Sequence, residues 1–417
     1  MAASLAATGL RNSAKNTVYS MLSKNKNKVT ENQISELARA LAPYMPELSL
    51  ELIEDVSAPD TLRVALLLAN KRSFEAVEWT KKYSAIKNPS ELDLFLTNGS
   101  LSSPRQQIDR LNSFLVGYGL SPLDLIDKGL PPSPSNLCAK TSASTNKGPL
   151  VSVLMTSYQC EGHIESAIRS LLGQTWKNIE LIVIDDASKD GTVGVIERLA
   201  KVDNRIICIR LPVNVGTYVA KRIGFEKAKG EFVICHDSDD WSHPEKIERQ
   251  VKPLINNKTL VFSMAHWVRM QDNGVFYARP VHPLMRQNPA SAMFRRNMVY
   301  DKAGLWDLVR TGADSEFNSR LKLVFGKEAM ARIKLPLTFG AHRSGSLMNA
   351  ATTGHGERCM SPVRLDYWEA WTRWHIQQLH KGYKPKMNTA YNAPRPFSAP
   401  SNICVSQDAI NQCISQL

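Results

Sequence analysis

The rhythm of apolar and polar positions changes near residue 150. From there LVSVLMTS, IELIVIDD, RIICIRL and EFVICHD are apolar runs of strand length, and HIESAIRSLLGQ, GTVGVIERLAKV and TYVAKRIGFEKAKG between them repeat at helical spacing. Strand and helix alternating at this interval predict a mostly parallel sheet with helices on both faces, its strands ending near Thr156, Asp185, Leu211 and Asp237. Before this zone, ENQISELARALAPYM has helical periodicity and TLRVALLLANKRSFEAVEWTKKYSAI reads as a helical hairpin. A tetratricopeptide-like pair is conceivable there, but three copies of a repeat are not visible. The expected layout is a basic arm over 1–30, a helical accessory domain over 31–128, a Pro/Ser/Thr/Gly-rich linker over 129–149 and an α/β domain over 150–355. An aromatic helix and an irregular tail complete it over 356–417.

Composition changes this picture little. At 417 residues, 43% hydrophobic and 22% charged, the chain has the make-up of a globular protein with room for two or three units. Its 52 Lys and Arg against 39 Asp and Glu give +13, which suits an anionic partner: nucleic acid, a sugar nucleotide or an anionic membrane face. Zinc-finger spacing, a basic recognition helix and a single-strand aromatic platform are all missing from the sequence, so nucleic acid is not the expected partner. No apolar run reaches membrane-spanning length and no signal peptide is evident. The seven cysteines are scattered, with neither metal-ligand pairs nor a disulfide framework, so the expected compartment is a reducing cytosol.

The strand ends carry the candidate chemistry. In an open parallel sheet ligands bind beyond the carboxyl ends of the strands. Here these ends read Thr156-Ser157-Tyr158, Asp185-Asp186 and Asp237-Ser238-Asp239-Asp240. The turn after the first strand, SYQCEGHIES, has one glycine and so lacks a dinucleotide fingerprint, and no Walker lysine loop is present. Clustered carboxylates suit Mg²⁺ or Mn²⁺ holding a diphosphate, because such hard cations take oxygen ligands and keep positions for phosphate and water.

Taken in order, VSVLMTSYQCEGHIESAIRSLLGQTWKNIELIVIDDASKDGT, NVGTYVAKRIG, AKGEFVICHDSDD and GADSEFNSRL resemble the family 2 inverting glycosyltransferases of the GT-A fold, surface-polysaccharide type, over about residues 150–350. The resemblance implies a nucleotide-sugar donor, UDP-linked. It places Thr156 and Tyr158 at the nucleobase, Asp186 as acceptor of a base N–H, Asp237 near the ribose and Asp239 on the metal. Asp185 either braces the turn or contacts the ligand, and Asp240 is a helix cap or a metal-supporting group. Lys221 and Arg222 stand where the family commonly has Arg and Asn, and either cation could reach a phosphate. Asp314 occupies the position of the catalytic base, with Ala313 in place of the first acid of the usual pair, and Glu316 matches a further acid on the acceptor side. His342 and Arg343 fit a metal- or diphosphate-facing role, with His355 as an alternative phosphate contact.

The implied reaction is a single displacement that inverts the anomeric centre, with a growing surface glycan as acceptor. Alternatives are a protein or small-molecule acceptor, or a catalytically silent GT-A scaffold. The expected location is cytoplasmic and peripheral on the inner membrane face, with the N-terminal helices available to other polysaccharide-assembly proteins. Trp368, Trp371 and Trp374, three residues apart beside Arg373 and Lys381, either face lipid or pack on the core.

Overall fold

The computed structural model describes residues 1–24, 28–83, 91–139, 148–343, 354 and 361–416. His355 and most of the residues 140–149 read as linker lie outside the described residues. The chain divides into two compact units: residues 1–138, 268–286 and 341–361 form the first, and residues 139–267, 287–340 and 362–417 the second.

The first unit is mainly helical: α1 (Ala2–Ala7), α2 (Arg11–Lys24), α3 (Glu31–Leu41), α4 (Pro46–Leu52), α5 (Asp60–Ala69), α6 (Ser73–Tyr83), α7 (Leu92–Gly99) and α8 (Pro104–Gly117). Helix α3 starts at a capping box in which Thr30 and Gln33 satisfy each other's backbone N–H groups, and Ser103 and Gln106 repeat the device at α8. Residues 1–24 are not an arm. Ala2, Ala6, Ala14 and Val18 are buried in one cluster with Ala38, Leu41, Leu48 and Leu62, so small apolar residues dock α1 and α2 while their lysines stay in solvent. The expected linker is also partly ordered. Strands β1 (Leu123–Leu125) and β2 (Leu137–Ala139) pair, and Asn136 donates to the carbonyls of Asp127, Leu130 and Pro131.

The second unit holds the sheet. Strands β3 (Val151–Ser157), β4 (Ile179–Asp185), β5 (Ile206–Arg210) and β6 (Phe232–Asp237) are the four predicted ones, and they lie parallel in the order β5-β4-β3-β6. The intervening helices are α9 (Glu161–Leu172), α10 (Thr192–Ala200) and α11 (Thr217–Lys227). Alternation along β3 sends Val151, Val153 and Met155 into a core with Ile164, Ile168 and Val251, and Leu154 into another with Val219, Ile223 and Phe317. At about 1.5–3 kcal/mol for each fully buried large aliphatic, these two cores fix which residues emerge at the strand ends.

Beyond β6 come β7 (Trp241–Ser242), α12 (Lys246–Asn256), β8 (Phe262–Met270), β9 (Phe276–Tyr277), β10 (Arg286–Gln287), β11 (Met293–Arg295) and α13 (Arg296–Lys302). They are followed by α14 (Ala313–Phe325), β12 (Met330–Ala341), α15 (Pro362–His380) and α16 (Gln407–Ile414). Strand β11 runs antiparallel to β6 and β8, and β12 antiparallel to β7, so the sheet is mixed on this side. This is the α/β architecture expected, with an N-terminal helical region.

Two boundaries differ from the expectation. Residues 268–286 belong to the helical unit, where Asn98 exchanges two hydrogen bonds with the backbone of Phe276 and Glu91 accepts from the N–H groups of Leu284 and Met285. Residues 362–417 belong to the sheet unit: Tyr367, Trp371, Ile410 and Cys413 enter its core, and Tyr367 donates to Asp307 at 3.1 Å. The three tryptophans do not form one strip. Steps of three residues fall about 60° short of a full turn each. Trp368 is therefore 47% exposed, while Trp371 and Trp374 are 6% and 4% exposed. Packing on the core is what the structure shows for those two.

Candidate active site

The ends of β3, β4 and β6 converge by register: Thr156 lies beside Ile184 and Asp237, and Ser157 beside Asp185. Thr156 shares a 2.7 Å hydrogen bond with Thr217 at the start of α11, and Tyr158 next to it is 46% exposed. Asp185 is buried and accepts from the Ser188 N–H and the Ser157 hydroxyl, so it braces the turn after β4. Asp186 accepts from the backbone N–H groups of Val215 and Gly216, both at 2.7 Å. Burial pushes its carboxyl up to about 6, although these two donors and Arg310 act the other way. Gly216 caps α11 at φ +77°, a conformation that side chains other than glycine rarely adopt, so Asp186 fixes where that helix begins.

Helix α11 projects two cations, and the structure separates their roles. Arg222 is buried and donates to the carbonyls of Trp306, Thr389 and Asn388 at 2.6, 3.2 and 2.9 Å. All three guanidinium nitrogens are committed to backbone, which corrects the expectation that Arg222 could meet a phosphate. Lys221 instead lies 3.6 Å from Asp314 and 5.2 Å from the centre of the Tyr218 ring. Burial alone would lower its ammonium, but Asp314 and Asp237 outweigh burial and hold it above the ordinary lysine range.

Asp314 is in the first turn of α14, after Gly312 at φ +86°. Its side chain is 23% exposed, and one oxygen accepts from the Tyr218 hydroxyl at 3.0 Å. Glu316, two residues on, points the other way into the protein. It is fully buried, makes a bidentate 2.7 Å pair with Arg320 and meets His375 Nε2 at 3.0 Å. With both oxygens occupied and no exposure, Glu316 is a structural hub, which corrects its expected acceptor-side role. Arg320 outweighs burial and draws its carboxyl below the ordinary range.

Burial raises the Asp237 carboxyl, and Asp239 and Asp314 add to this against Lys221 and Lys246. Lys246 is itself buried, donates to Ser242 at 3.2 Å and is drawn down to about 8 by burial, against Asp240 and Asp237. Among the described residues no three His, Cys, Asp or Glu side chains converge as a closed metal cage. An acidic pair at a strand end is nevertheless a fitting donor set for Mg²⁺ or Mn²⁺, which commonly take one or two carboxylates and complete their shell with phosphate and water. His342 and Arg343 lie in the first unit, where the His342 ring stacks on Tyr277 with centroids 3.6 Å apart.

Residues 152–311 match the family described as Glycosyl transferase family 2. This segment, less than half of the chain, is similar to family 2 glycosyltransferases. Curated relatives are similar over about a third of this chain. The TuaG protein of Bacillus subtilis, described as a putative teichuronic acid biosynthesis glycosyltransferase, is 34% identical over 33% of this chain and 54% of its own length. WfaP of Escherichia coli, a UDP-Glc:α-D-GlcNAc-diphosphoundecaprenol β-1,3-glucosyltransferase, is 34% identical over 31% of this chain and 52% of its own. The chain thus spans about half the length of these relatives. The crystal structure of S. aureus TarS with UDP-GlcNAc aligns at 19% identity and a TM-score of 0.39, covering 47% of this chain and 59% of that one. The family 2 match ends three residues before Asp314.

Sequence reasoning missed Tyr218, Lys246 and His375. Tyr218 left one signal, its position a helical turn before Lys221. Lys246 and His375 have polar roles created by burial, which residue type alone does not announce.

Proposed function

We propose that this chain is an inverting glycosyltransferase that moves a sugar from a UDP-linked donor to a hydroxyl of a growing surface glycan. The observation that carries the proposal is the partly exposed Asp314 carboxylate, held by Tyr218 and Lys221 beside the carboxylate-bearing end of β6. Asp314 takes the proton of the acceptor hydroxyl as its oxygen bonds to the anomeric carbon. The bond from that carbon to the diphosphate oxygen breaks on the opposite side, and the nucleoside diphosphate leaves with the electron pair.

Asp239, aided by Asp237, would hold Mg²⁺ or Mn²⁺, which when bound offsets the charge of the departing diphosphate. Thr156 and Tyr158 are assigned to the nucleobase. Asp186 has lone pairs left for a base N–H beyond its two backbone donors. Lys221 supplies positive charge to the centre through Asp314 and Asp237. WfaP, whose name specifies a UDP-sugar and a diphosphoundecaprenol-linked acceptor, supports a lipid-linked acceptor and work at the inner face of a membrane. The helical unit is the proposed contact for other assembly proteins.

The test is nucleoside diphosphate release with a panel of nucleotide sugars and lipid-linked glycan acceptors. Asp314→Asn is expected to lower turnover by about 10²–10⁴-fold while donor affinity stays within a few-fold. Wild-type turnover in that variant would remove Asp314 from the mechanism.

A further inference from the structure

Residues 278–286 of the first unit make a turn that the helices of that unit grip from several sides. Val281 has φ +69°, a left-handed conformation that β-branched residues rarely adopt, and it packs against the cluster of Ala38, Leu41 and Leu62. His282 Nε2 and the Thr61 hydroxyl share a 3.0 Å hydrogen bond. Glu91 fixes the next stretch by accepting from the Leu284 and Met285 N–H groups at 2.9 and 2.6 Å. Strain of this kind persists only where the surroundings over-determine it, and it collects at sites that hold ligands.

What the turn presents is positive charge. Arg279 and Arg286 flank it, and Arg39 comes from α3 beside the buried Ala38. Partial burial first, then Arg279 and Arg39, draw the Arg286 guanidinium below the ordinary arginine range. Burial and Arg39, against Glu36, draw the His282 ring down to about 4, so this histidine is uncharged at neutral pH. Among the described residues Arg279 and Arg286 join no ion pair, and Arg39 pairs with Glu36, one turn away on its own helix. Like charges held this close repel one another, and a bound anion relieves the repulsion.

We infer that Arg39, Arg279 and Arg286 form a binding site for a diphosphate group. A planar guanidinium donates two parallel N–H groups to one phosphate, so neighbouring arginines can divide the oxygens of two linked phosphates between them. Three guanidiniums less the Glu36 carboxylate leave two positive charges, which match the two negative charges of a diphosphate diester. A carboxylate or a single phosphodiester would leave one positive charge over. Two sources offer a diphosphate: the group that links a glycan to its lipid, and that of a free nucleotide. The first is the one that the proposed glycosyltransferase function supplies, and only that choice of source rests on it.

Isothermal titration calorimetry of the full chain with sodium pyrophosphate in EDTA tests the site, because chelation keeps a cation from holding pyrophosphate at Asp239. One pyrophosphate per chain is expected to bind. Arg279→Gln and Arg286→Gln should each weaken it by about fivefold or more, and together abolish it. Arg286→Gln should melt at or above the wild-type temperature, because a repulsion is removed. Asp239→Asn and Asp314→Asn should bind pyrophosphate as wild type does, whether or not they transfer sugar, so a failure of this site and a failure of the proposed reaction are told apart. For the source, the double arginine variant is compared with wild type in flotation with neutral vesicles carrying an isoprenyl diphosphate, and in dialysis against UDP in EDTA. Loss of flotation alone assigns the lipid-linked group, and loss of UDP binding alone assigns the nucleotide. No pyrophosphate binding, binding indifferent to both arginines, or equal affinity for acetate would overturn the inference.

Discussion

Glu316→Gln removes one charge from a site with no access to water. Both oxygens of Glu316 are bonded to Arg320, one of them also to His375, and neither Glu316 nor Arg320 is exposed. Removing one partner from a buried pair costs about 3–5 kcal/mol, chiefly because the other charge stays buried without compensation. Here Arg320 also donates to the carbonyls of Ala303 and Leu305, and Gln keeps one acceptor oxygen. The lower end, about 3 kcal/mol, is therefore expected. At about 2–4 °C per kcal/mol for a unit of 150–250 residues, the melting temperature should fall by about 6–12 °C. Urea unfolding followed by tryptophan fluorescence is a local assay, since Trp371 and Trp374 lie 5.2 and 4.8 Å from the His375 ring. Because Arg320 holds the Glu316 carboxyl below its ordinary 4.5, the lost stabilisation is one present at neutral pH. The difference between wild type and variant should close only as the pH falls below the ordinary carboxylate range. Transfer per folded molecule is expected to stay within about threefold. A variant that unfolds within about 0.5 kcal/mol of wild type yet loses turnover would refute this reasoning and return Glu316 to the reaction.

Asp186, raised from 3.8 to about 6, binds its proton more tightly in the folded state, so its contribution favours folding at low pH and fades as pH rises through about 6. Chemical unfolding at several pH values should show wild type losing roughly 2.4 kcal/mol relative to Asp186→Asn between pH 4 and 7, and a constant difference would contradict the assignment. Arg222→Met, which strands three carbonyls, should cost about 2–4 kcal/mol in urea unfolding and leave the donor KM within about twofold. A large rise in KM with intact stability would restore Arg222 to the phosphate. Chelation with EDTA should abolish transfer and added Mn²⁺ restore it, with Asp239→Asn failing to recover; full transfer by metal-free protein would dismiss the cation.

The sequence by itself determined the sheet. Apolar runs of strand length cannot be left in water, and their alternation with helical segments admits one handed, parallel solution. Hence β3 to β6 and the polar residues at their ends were legible in advance, as were α11 and α14. Docking of local elements was not legible. Lysines suggested a free arm where alanines at helical spacing in fact fasten α1 and α2, and the tail's prolines concealed Ile410 and Cys413 in the core. Tertiary structure alone decided what each charged side chain does. Lys221 and Arg222 are neighbours of like charge, yet a turn of 100° gives one to Asp314 and the other to three carbonyls. Asp314 and Glu316 are two residues apart, and about 200° of rotation leaves the first partly in solvent and seals the second against Arg320. The reason is physical: residue type fixes which charges a chain carries, while burial and the partners brought from distant positions fix whether a charge can react or only hold the fold together.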